Sequence, residues 1–375
     1  MSEEVAAAGL DVRRLEQGVL TRLSFLDRYL PLWIVVAMAL GLSLGRLVPH
    51  LNRAINAVQV TSGTSLPIFV GLVVMMYPVL ARVRYDRLDT VIRDRRMLIS
   101  SLVLNWVVGP ALMFALAWLT LGDLPAYRTG LIIVGLARCI AMVLIWNDLS
   151  GGNREAAAVL VALNSLFQIL AFALLGYFYL RLLPRWLGLS TVGVDFSIAR
   201  IGGSVLIFLG IPLIAGYLTR TVGERRRGRD WYEAVVVARL APLALCGLLY
   251  TIVILFALQG HTITTRPADV ARIAVPLLGY FVIMWFGSFA FGAVIGLPYD
   301  RTATLAFTAA GNNFELAIAV AIGVFGVTSG EALAGVVGPL IEVPVLGGLV
   351  YVSRLAQRRY FQSVVSSTSP SGHHD

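Results

Sequence analysis

Ten stretches of mostly apolar residues divide the chain, and short polar segments separate them. About 20 apolar residues are enough for a helix to cross a bilayer, and the alternating pattern of membrane strands is absent. The sequence therefore predicts an all-α membrane protein with ten transmembrane helices, of which the second and sixth are short. The predicted spans are 29–48, 66–81, 97–121, 129–147, 156–181, 203–219, 240–258, 271–296, 302–325 and 331–353.

The distribution of arginine indicates which ends of these spans face the cytoplasm. One set of alternate segments contains 21 arginines, whereas the other set contains eight and Arg138 lies inside a span. The arginine-rich segments are 1–28, 82–96, 148–155, 220–239, 297–301 and 354–375. Because cytoplasmic loops of membrane proteins are enriched in basic residues, we expect both termini to be cytoplasmic and the protein to lie in the plasma membrane.

The two halves of the chain match each other when the sequence is shifted by 174 residues. Arg46 then falls on Arg220, and each closes a glycine-containing apolar run. Five spans is an odd number, so the halves have opposite orientations, as in the inverted repeats of many transporters. Evenly spaced helices would also match by chance, and spacing alone leaves that alternative open. The predicted parts are a tail (1–28), a first five-helix repeat (29–181), an extracytoplasmic connection (182–202), a second repeat (203–353) and a tail (354–375).

Polar residues interrupt the fourth and ninth spans at matching positions. Arg138 and Cys139 fall on Asn312 and Asn313 under the same shift. Glycine and asparagine are poor residues for a helix interior, so a break is expected at 311–313. Matching interruptions in two halves indicate a binding site at the middle of the membrane. We therefore predict that both helices are broken and that these four residues contribute to a substrate site.

Glu315 follows the second interruption and is the candidate for proton coupling. The charged form of a carboxyl group is disfavoured in apolar surroundings, which suits a group that gains and loses a proton during transport. The alternative is a static ion pair with Arg138, and the sequence does not decide between the two. Glu342, which lies between two prolines of the last span, is a second candidate for proton coupling.

Cys139 is the candidate ligand for a thiophilic substrate. A cysteine in a membrane helix is most often a small apolar packing residue, but Arg138 beside it would favour the thiolate. Trp146 lies seven residues further along the same helix face and is a candidate for substrate binding. Cys246 has no such neighbours and is expected to pack. The amides Asn105, Asn164 and Gln168 are weaker site candidates, because such residues usually bond to neighbouring helices.

Composition excludes several classes of function. Of the 375 residues, 58% are hydrophobic and 14% are charged, and every one of the 30 basic residues is arginine. The net charge of +9 resides between apolar runs, which argues against nucleic-acid binding. No His-Glu-x-x-His, Gly-x-Ser-x-Gly or Gly-x-x-x-x-Gly-Lys motif is present. We therefore predict a protein that is not an enzyme and uses no cofactor, and any direct ATP drive would need another subunit.

Several motifs resemble those of the arsenite efflux permeases of the arsenical-resistance type, within the bile acid/sodium symporter superfamily. The resemblance covers residues 24–353. Its motifs are Arg28–Trp33, Gly135–Met142, Trp146–Asn147, Gly311–Val320, Ser329–Ala332 and Gly338–Pro344. Asp148, directly after the third motif, departs from the pattern.

The resemblance implies broken fourth and ninth helices that cross one another. It also implies export of trivalent arsenic as arsenite, and antimonite in some members, in exchange for protons, which confers arsenic resistance. The family's transport residues correspond to Cys139, as the ligand of arsenic(III), and to Glu315. The expected partners are arsenite, protons and the lipid bilayer, and a homo-oligomer is compatible with the sequence. The alternative is a sodium-coupled symporter of an organic anion, in which Asn312, Asn313 and Glu315 would ligate sodium.

Overall fold

The computed structural model describes residues 29–48, 50–55, 57–61, 64–83, 94–189 and 197–361. The described chain is almost entirely helical. The predicted tail 1–28 and the end of the C-terminal tail lie outside these residues. The helices are α1 (Leu30–Leu47), α2 (Leu51–Ile55), α3 (Leu66–Ala81), α4 (Arg95–Thr120), α5 (Pro125–Leu136), α6 (Met142–Ser150) and α7 (Arg154–Trp186).

The second half contains six helices. They are α8 (Ile198–Arg227), α9 (Arg229–Trp231, continuing through π-helical Tyr232–Val237 into Ala238–Thr265), α10 (Pro267–Val294), α11 (Tyr299–Ala310), α12 (Phe314–Phe325) and α13 (Gly330–Ala356, followed by π-helical Gln357–Phe361). The arginine-rich segment 220–239 is thus helical on both sides of Gly228, whose φ of 84° separates α8 from α9.

One element departs from the all-α prediction. Residues Gln59–Thr61 and Thr64–Ser65 form a two-stranded antiparallel sheet directly before α3. Val60, Thr61 and Thr64 are β-branched, and such side chains favour extended backbone over helix. The pair is too short to appear as an alternating pattern in the sequence.

The helical membrane class is confirmed. In the part of the chain that the structure describes, six helices are long and apolar enough to cross a membrane, namely α4, α7, α8, α9, α10 and α13. Shorter apolar helices are found at Leu32–Leu47, Leu66–Ala81 and Phe314–Phe325. The large exposed apolar side chains of α1, α8 and α10 include Val35, Ile214 and Ile283, which is the pattern expected of lipid-facing surfaces.

The helices pack in two groups. In the first group, α9 lies against α1 and α3, and α8 lies against α3. The first part of α8, Ile198–Val205, also packs against α7 and α12 of the second group. Glycines allow the close approach within this group: a Cβ at Gly216 of α8 would lie 2.7 Å from the backbone N of Ala81, and one at Gly247 of α9 would lie 2.7 Å from that of Met75. The second group contains α4–α7 and α10–α13, in which α13 packs on α5, α10 and α12.

Helix boundaries in the two halves correspond closely. A shift of 174 residues places Pro125 on Tyr299 and Leu136 on Ala310, so α5 and α11 begin and end at matching positions. The same shift places Thr120, the last residue of α4, on Val294, the last residue of α10.

Candidate functional site

The two helix interruptions cross each other and are joined through their backbones. Arg138 and Asn312 form an antiparallel bridge. The backbone N–H of Cys139 donates to the carbonyl oxygen of Gly311 (3.3 Å), and that of Asn313 donates to the carbonyl of Ala137 (3.0 Å). The two bonds are related by the 174-residue shift. Each break therefore satisfies backbone groups of the other, which lipid could not do.

Local sequence explains why the chain is extended at these points. A Cβ added at Gly311 would lie 3.0 Å from the Cβ of Cys139, so the absence of a side chain allows the two backbones to approach. Asn313 then caps the next helix, because its Oδ1 accepts from the backbone N–H of Leu316 at 3.0 Å. Helices α6 and α12 consequently begin at the crossing, with Glu315 in the first turn of α12.

Arg138 does not make the ion pair considered from the sequence. Its side chain is fully buried, and Nη1 donates to the Tyr280 hydroxyl at 2.8 Å and to the carbonyl of Ala309 at 3.4 Å. Nη2 donates to the carbonyl of Gly135. Among the described residues no carboxylate bonds to this guanidinium. Arg138 therefore bonds to the carbonyl ends of α5 and α11. The ion pair with Glu315, which the sequence left open as an alternative, is not formed in this conformation.

Gln168 of α7 holds the first break from the other side. Its Oε1 accepts from the backbone N–H of Arg138 (3.0 Å), and its Nε2 donates to the carbonyl oxygen of the same residue (3.1 Å). The side-chain amide thus replaces both hydrogen bonds that a continuous helix would supply. The sequence indicated Gln168 only as a weak candidate, and its role is to position the break rather than to line the site.

A narrow cavity of about 10 Å³, the space of roughly one water molecule, lies at the crossing. Its lining residues are Met75, Met76, Val79, Cys139, Ile140, Ala141, Met142, Asn312, Asn313 and Glu315. The first three belong to α3 of the first helix group, and the others belong to the two breaks of the second group. The cavity therefore lies between the two groups.

Four of the residues predicted for the site line this cavity together. Cys139 is buried, and its Sγ accepts from the backbone N–H of Val143 at 3.3 Å. Glu315 is partly buried and interacts electrostatically with Cys139. Both amide atoms of Asn312 and the Nδ2 of Asn313 have no hydrogen-bond partner among the described residues. These buried polar atoms can hydrogen-bond to a polar group that enters the cavity.

Glu342 and Trp146 are buried next to the crossing but do not line the cavity. The carboxyl group of Glu342 interacts with Glu315 and with the backbone N–H of Asn312. The indole of Trp146 is 1% exposed, and its Nε1 has no partner among the described residues. Cys246 is exposed on α9, away from the cavity lining.

The wall of the cavity formed by α3 was not predictable from the sequence. Met75, Met76 and Val79 are apolar residues in an apolar span, and nothing distinguishes them from packing residues. Asp148, which had no interpretation from the sequence, forms an ion pair with Arg154 (2.7 Å) at the turn between α6 and α7. Within the described ranges, no group of three or more His, Cys, Asp or Glu side chains could hold a metal ion.

Broken helices that meet at the middle of a helical membrane protein are typical of membrane transporters. Residues 69–266 match the profile of the Sodium Bile acid symporter family. The chain is 59% identical over 330 residues to the arsenical-resistance protein Acr3 of Corynebacterium glutamicum, covering 88% of this chain and 89% of that protein. It is 30% identical over 352 residues to Acr3 of Alkaliphilus metalliredigens, covering 91% and 96%.

An uncharacterized transporter of Synechocystis is 34% identical over 351 residues, covering 88% of this chain and 89% of that protein. The chain belongs to the bile acid/sodium symporter superfamily and, within it, to the arsenite efflux permeases of the arsenical-resistance type. The predicted family is therefore confirmed. Membership in a transporter family supports a multi-pass membrane permease rather than an enzyme.

Proposed function

We propose that this protein exports trivalent arsenic from the cytoplasm in exchange for protons, with Cys139 as the arsenic ligand and Glu315 as the proton carrier. The observation that carries the proposal is that both side chains line one cavity, at the crossing of two broken helices. Two similar proteins bear the name arsenical-resistance protein. Antimonite, which has the same thiol preference, is a second substrate of the same chemistry.

One sulfur ligand suits a carrier. Arsenite at neutral pH is mainly an uncharged trihydroxide. When it binds, a bond forms between Sγ and arsenic, and the thiol proton leaves with one hydroxide as water, without any redox change. Three thiolates would hold arsenic too tightly to release it, whereas one thiolate with oxygen ligands allows release by the reverse reaction with water. Permeation requires binding that is weak enough to leave.

Glu315 supplies the coupling. In the proposed cycle, arsenite binds from the cytoplasm while Glu315 is deprotonated, the two helix groups move relative to each other, and a proton reaches Glu315 from outside as arsenite leaves. The amide groups of Asn312 and Asn313 are placed to contact the arsenite hydroxyls. Exchange of a neutral solute for a proton is driven by the pH gradient and by the membrane potential, which contributes about 2.3 kcal/mol per charge per 100 mV.

We also propose the underlying architecture, in which ten spans form two inverted five-helix repeats with both termini cytoplasmic. The matching ends of α5 and α11 support this, as do the paired bonds of Cys139 and Asn313 across the crossing. In this arrangement α5–α6 and α11–α12 are the broken fourth and ninth spans. An inverted repeat allows each half to adopt the conformation of the other, which yields inward-open and outward-open states.

The test is arsenite uptake into inside-out vesicles with an acidic lumen. We expect uptake by the wild type, and its loss in Cys139→Ala and in Glu315→Gln. Cys246→Ala, which removes the exposed cysteine of α9, is the matched control and should retain uptake. Full uptake by Cys139→Ala would refute the assignment of the arsenic ligand.

Sodium-coupled symport of an organic anion is the second candidate. It is favoured by the family match and by the unpartnered amide oxygen of Asn312, a hard donor of the kind that sodium prefers. The same vesicles distinguish the two functions, because symport requires a sodium gradient and is indifferent to Cys139→Ala.

A further inference from the structure

Two polar side chains occupy matching positions behind the two breaks. Gln168 of α7 and Glu342 of α13 are 174 residues apart, and the same shift relates Arg138 to Asn312, which form the antiparallel bridge. Both side chains are buried, at 0% and 1% exposure. Each lies on the helix that follows the broken pair in its own half. The two residues therefore face the two breaks from equivalent places.

Gln168 shows what this position does in the first half. Its amide accepts from the backbone N–H of Arg138 and donates to the carbonyl oxygen of that residue. Both backbone groups are thereby satisfied at a depth where lipid offers no partner. The equivalent residue in the second half is a glutamate, although the backbone it faces has the same two groups.

Glu342 faces the corresponding backbone in the second half. Its carboxyl group interacts with the backbone N–H of Asn312, but the described residues show no hydrogen bond there as close as the 3.0 Å bond from the Arg138 N–H to Gln168. The described residues show no hydrogen bond to the carbonyl oxygen of Asn312, and the Oε1 of Glu342 has no partner among them. An acceptor and an unpartnered carboxyl oxygen therefore remain at the second break. A proton on the carboxyl oxygen of Glu342 would allow a hydrogen bond to the carbonyl oxygen of Asn312, which corresponds to the bond from Gln168 to the carbonyl oxygen of Arg138.

The chemistry of the two side chains decides which form of Glu342 fits. A primary amide offers both an acceptor and a donor, a carboxylate offers acceptors only, and a neutral carboxylic acid offers one of each. We propose that Glu342 is held as a neutral acid and that it fixes the second break by two hydrogen bonds to the backbone of Asn312, as Gln168 fixes the first. It is thus a positioning residue, and Glu315 alone carries the transported proton.

The charges around Glu342 agree with this assignment. The ionisable groups that interact with it among the described residues are Glu315 of α12 and Cys139 at the first break. The guanidinium of Arg138, at the first break, bonds to Tyr280 and to backbone carbonyls rather than to Glu342. A second negative charge beside Glu315 would have no bonded counterion, and a buried unpaired charge is strongly unfavourable.

The test compares Glu342→Gln, which keeps one donor and one acceptor, with Glu342→Leu, which has similar size and neither. We expect Glu342→Gln to retain most of the arsenite uptake with the pH dependence of the wild type. Glu342→Leu, which removes both hydrogen bonds, should lose roughly tenfold or more of the uptake. If Glu342→Gln is as inactive as Glu342→Leu, or loses its dependence on the proton gradient, the proposal is overturned.

A second measurement does not depend on transport, and this matters because the uptake test rests on the proposed function. Infrared spectra of the purified protein should contain the carbonyl stretch of a protonated carboxyl group from mildly acidic to mildly alkaline pH. The band should persist in Glu315→Gln and disappear in Glu342→Gln. Its absence from Glu315→Gln would refute the neutral acid, whereas a wild type without arsenite uptake would refute only the proposed function.

Discussion

Replacement of Gln168 by leucine tests the physical basis of the broken helix directly. The change conserves approximate size and burial while it removes the acceptor for the Arg138 N–H and the donor to the Arg138 carbonyl. Both backbone groups would remain buried, because Arg138 itself is 0% exposed. The chain could recover the lost bonds only by moving the break, and with it Cys139, which is the next residue.

The expected cost follows from the two bonds. Each buried polar group left without a partner costs about 1–3 kcal/mol, so the substitution should cost about 2–6 kcal/mol. Proteins are stable by about 5–15 kcal/mol in total. The variant should therefore unfold at a markedly lower temperature, and the fraction that folds should transport poorly because the thiol is displaced.

The assay is thermal unfolding of the detergent-purified protein together with uptake per molecule of inserted protein. Gln259→Leu is the matched control. Gln259 is also a buried glutamine, at 2% exposure on α9, but its amide makes a single bond to the carbonyl of Val327. We expect about half the loss of stability and little loss of uptake per molecule in this control. Equal stability and uptake in Gln168→Leu and the wild type would refute the reasoning.

Two further predictions concern packing and surface charge. A Cβ at Gly338 would overlap the ring of Phe314, so Gly338→Ala should cost about 1–3 kcal/mol of stability. Gly347 lies on the same helix with open space beside it, so Gly347→Ala is the control and should not change the unfolding temperature. Arg272 lowers the pKa of Asp123 from its ordinary value of 3.8 by a hydrogen bond. The stabilisation by Asp123 is therefore fully present above pH 3.8 and is lost as the pH falls through the lowered pKa. The unfolding temperatures of Asp123→Asn and the wild type should converge at acid pH. A difference in unfolding temperature that grows in acid would contradict this.

The sequence predicted features that depend on composition along one segment. Helix positions follow from apolar length, and the break at 311–313 follows from the poor helix propensity of Gly311, Asn312 and Asn313. The match between Arg138 and Asn312 was also visible, because a repeat leaves its trace in spacing. The structure has both interruptions where these signals lie, at 137–141 and 311–313.

The directions in which individual side chains point were not predictable from the sequence. The guanidinium of Arg138 bonds to Tyr280 and Gly135 instead of Glu315, and only the crossing of the backbones decides where that side chain points. Trp146 was placed on the face of Cys139 by assuming a continuous helix, but the helix begins at Met142, so the periodicity does not extend back to the cysteine.

The cavity has two walls of different chemistry, and this separates two properties that a permease must control. The thiol, the carboxyl group and the amides that line the cavity belong to the breaks, whereas α3 contributes the side chains of Met75, Met76 and Val79. The residues at the breaks therefore determine how strongly a ligand is bound, and the residues of α3 limit how large that ligand can be. A larger or smaller cargo could be accommodated by changes at three apolar positions, while the sulfur and the acid stay as they are.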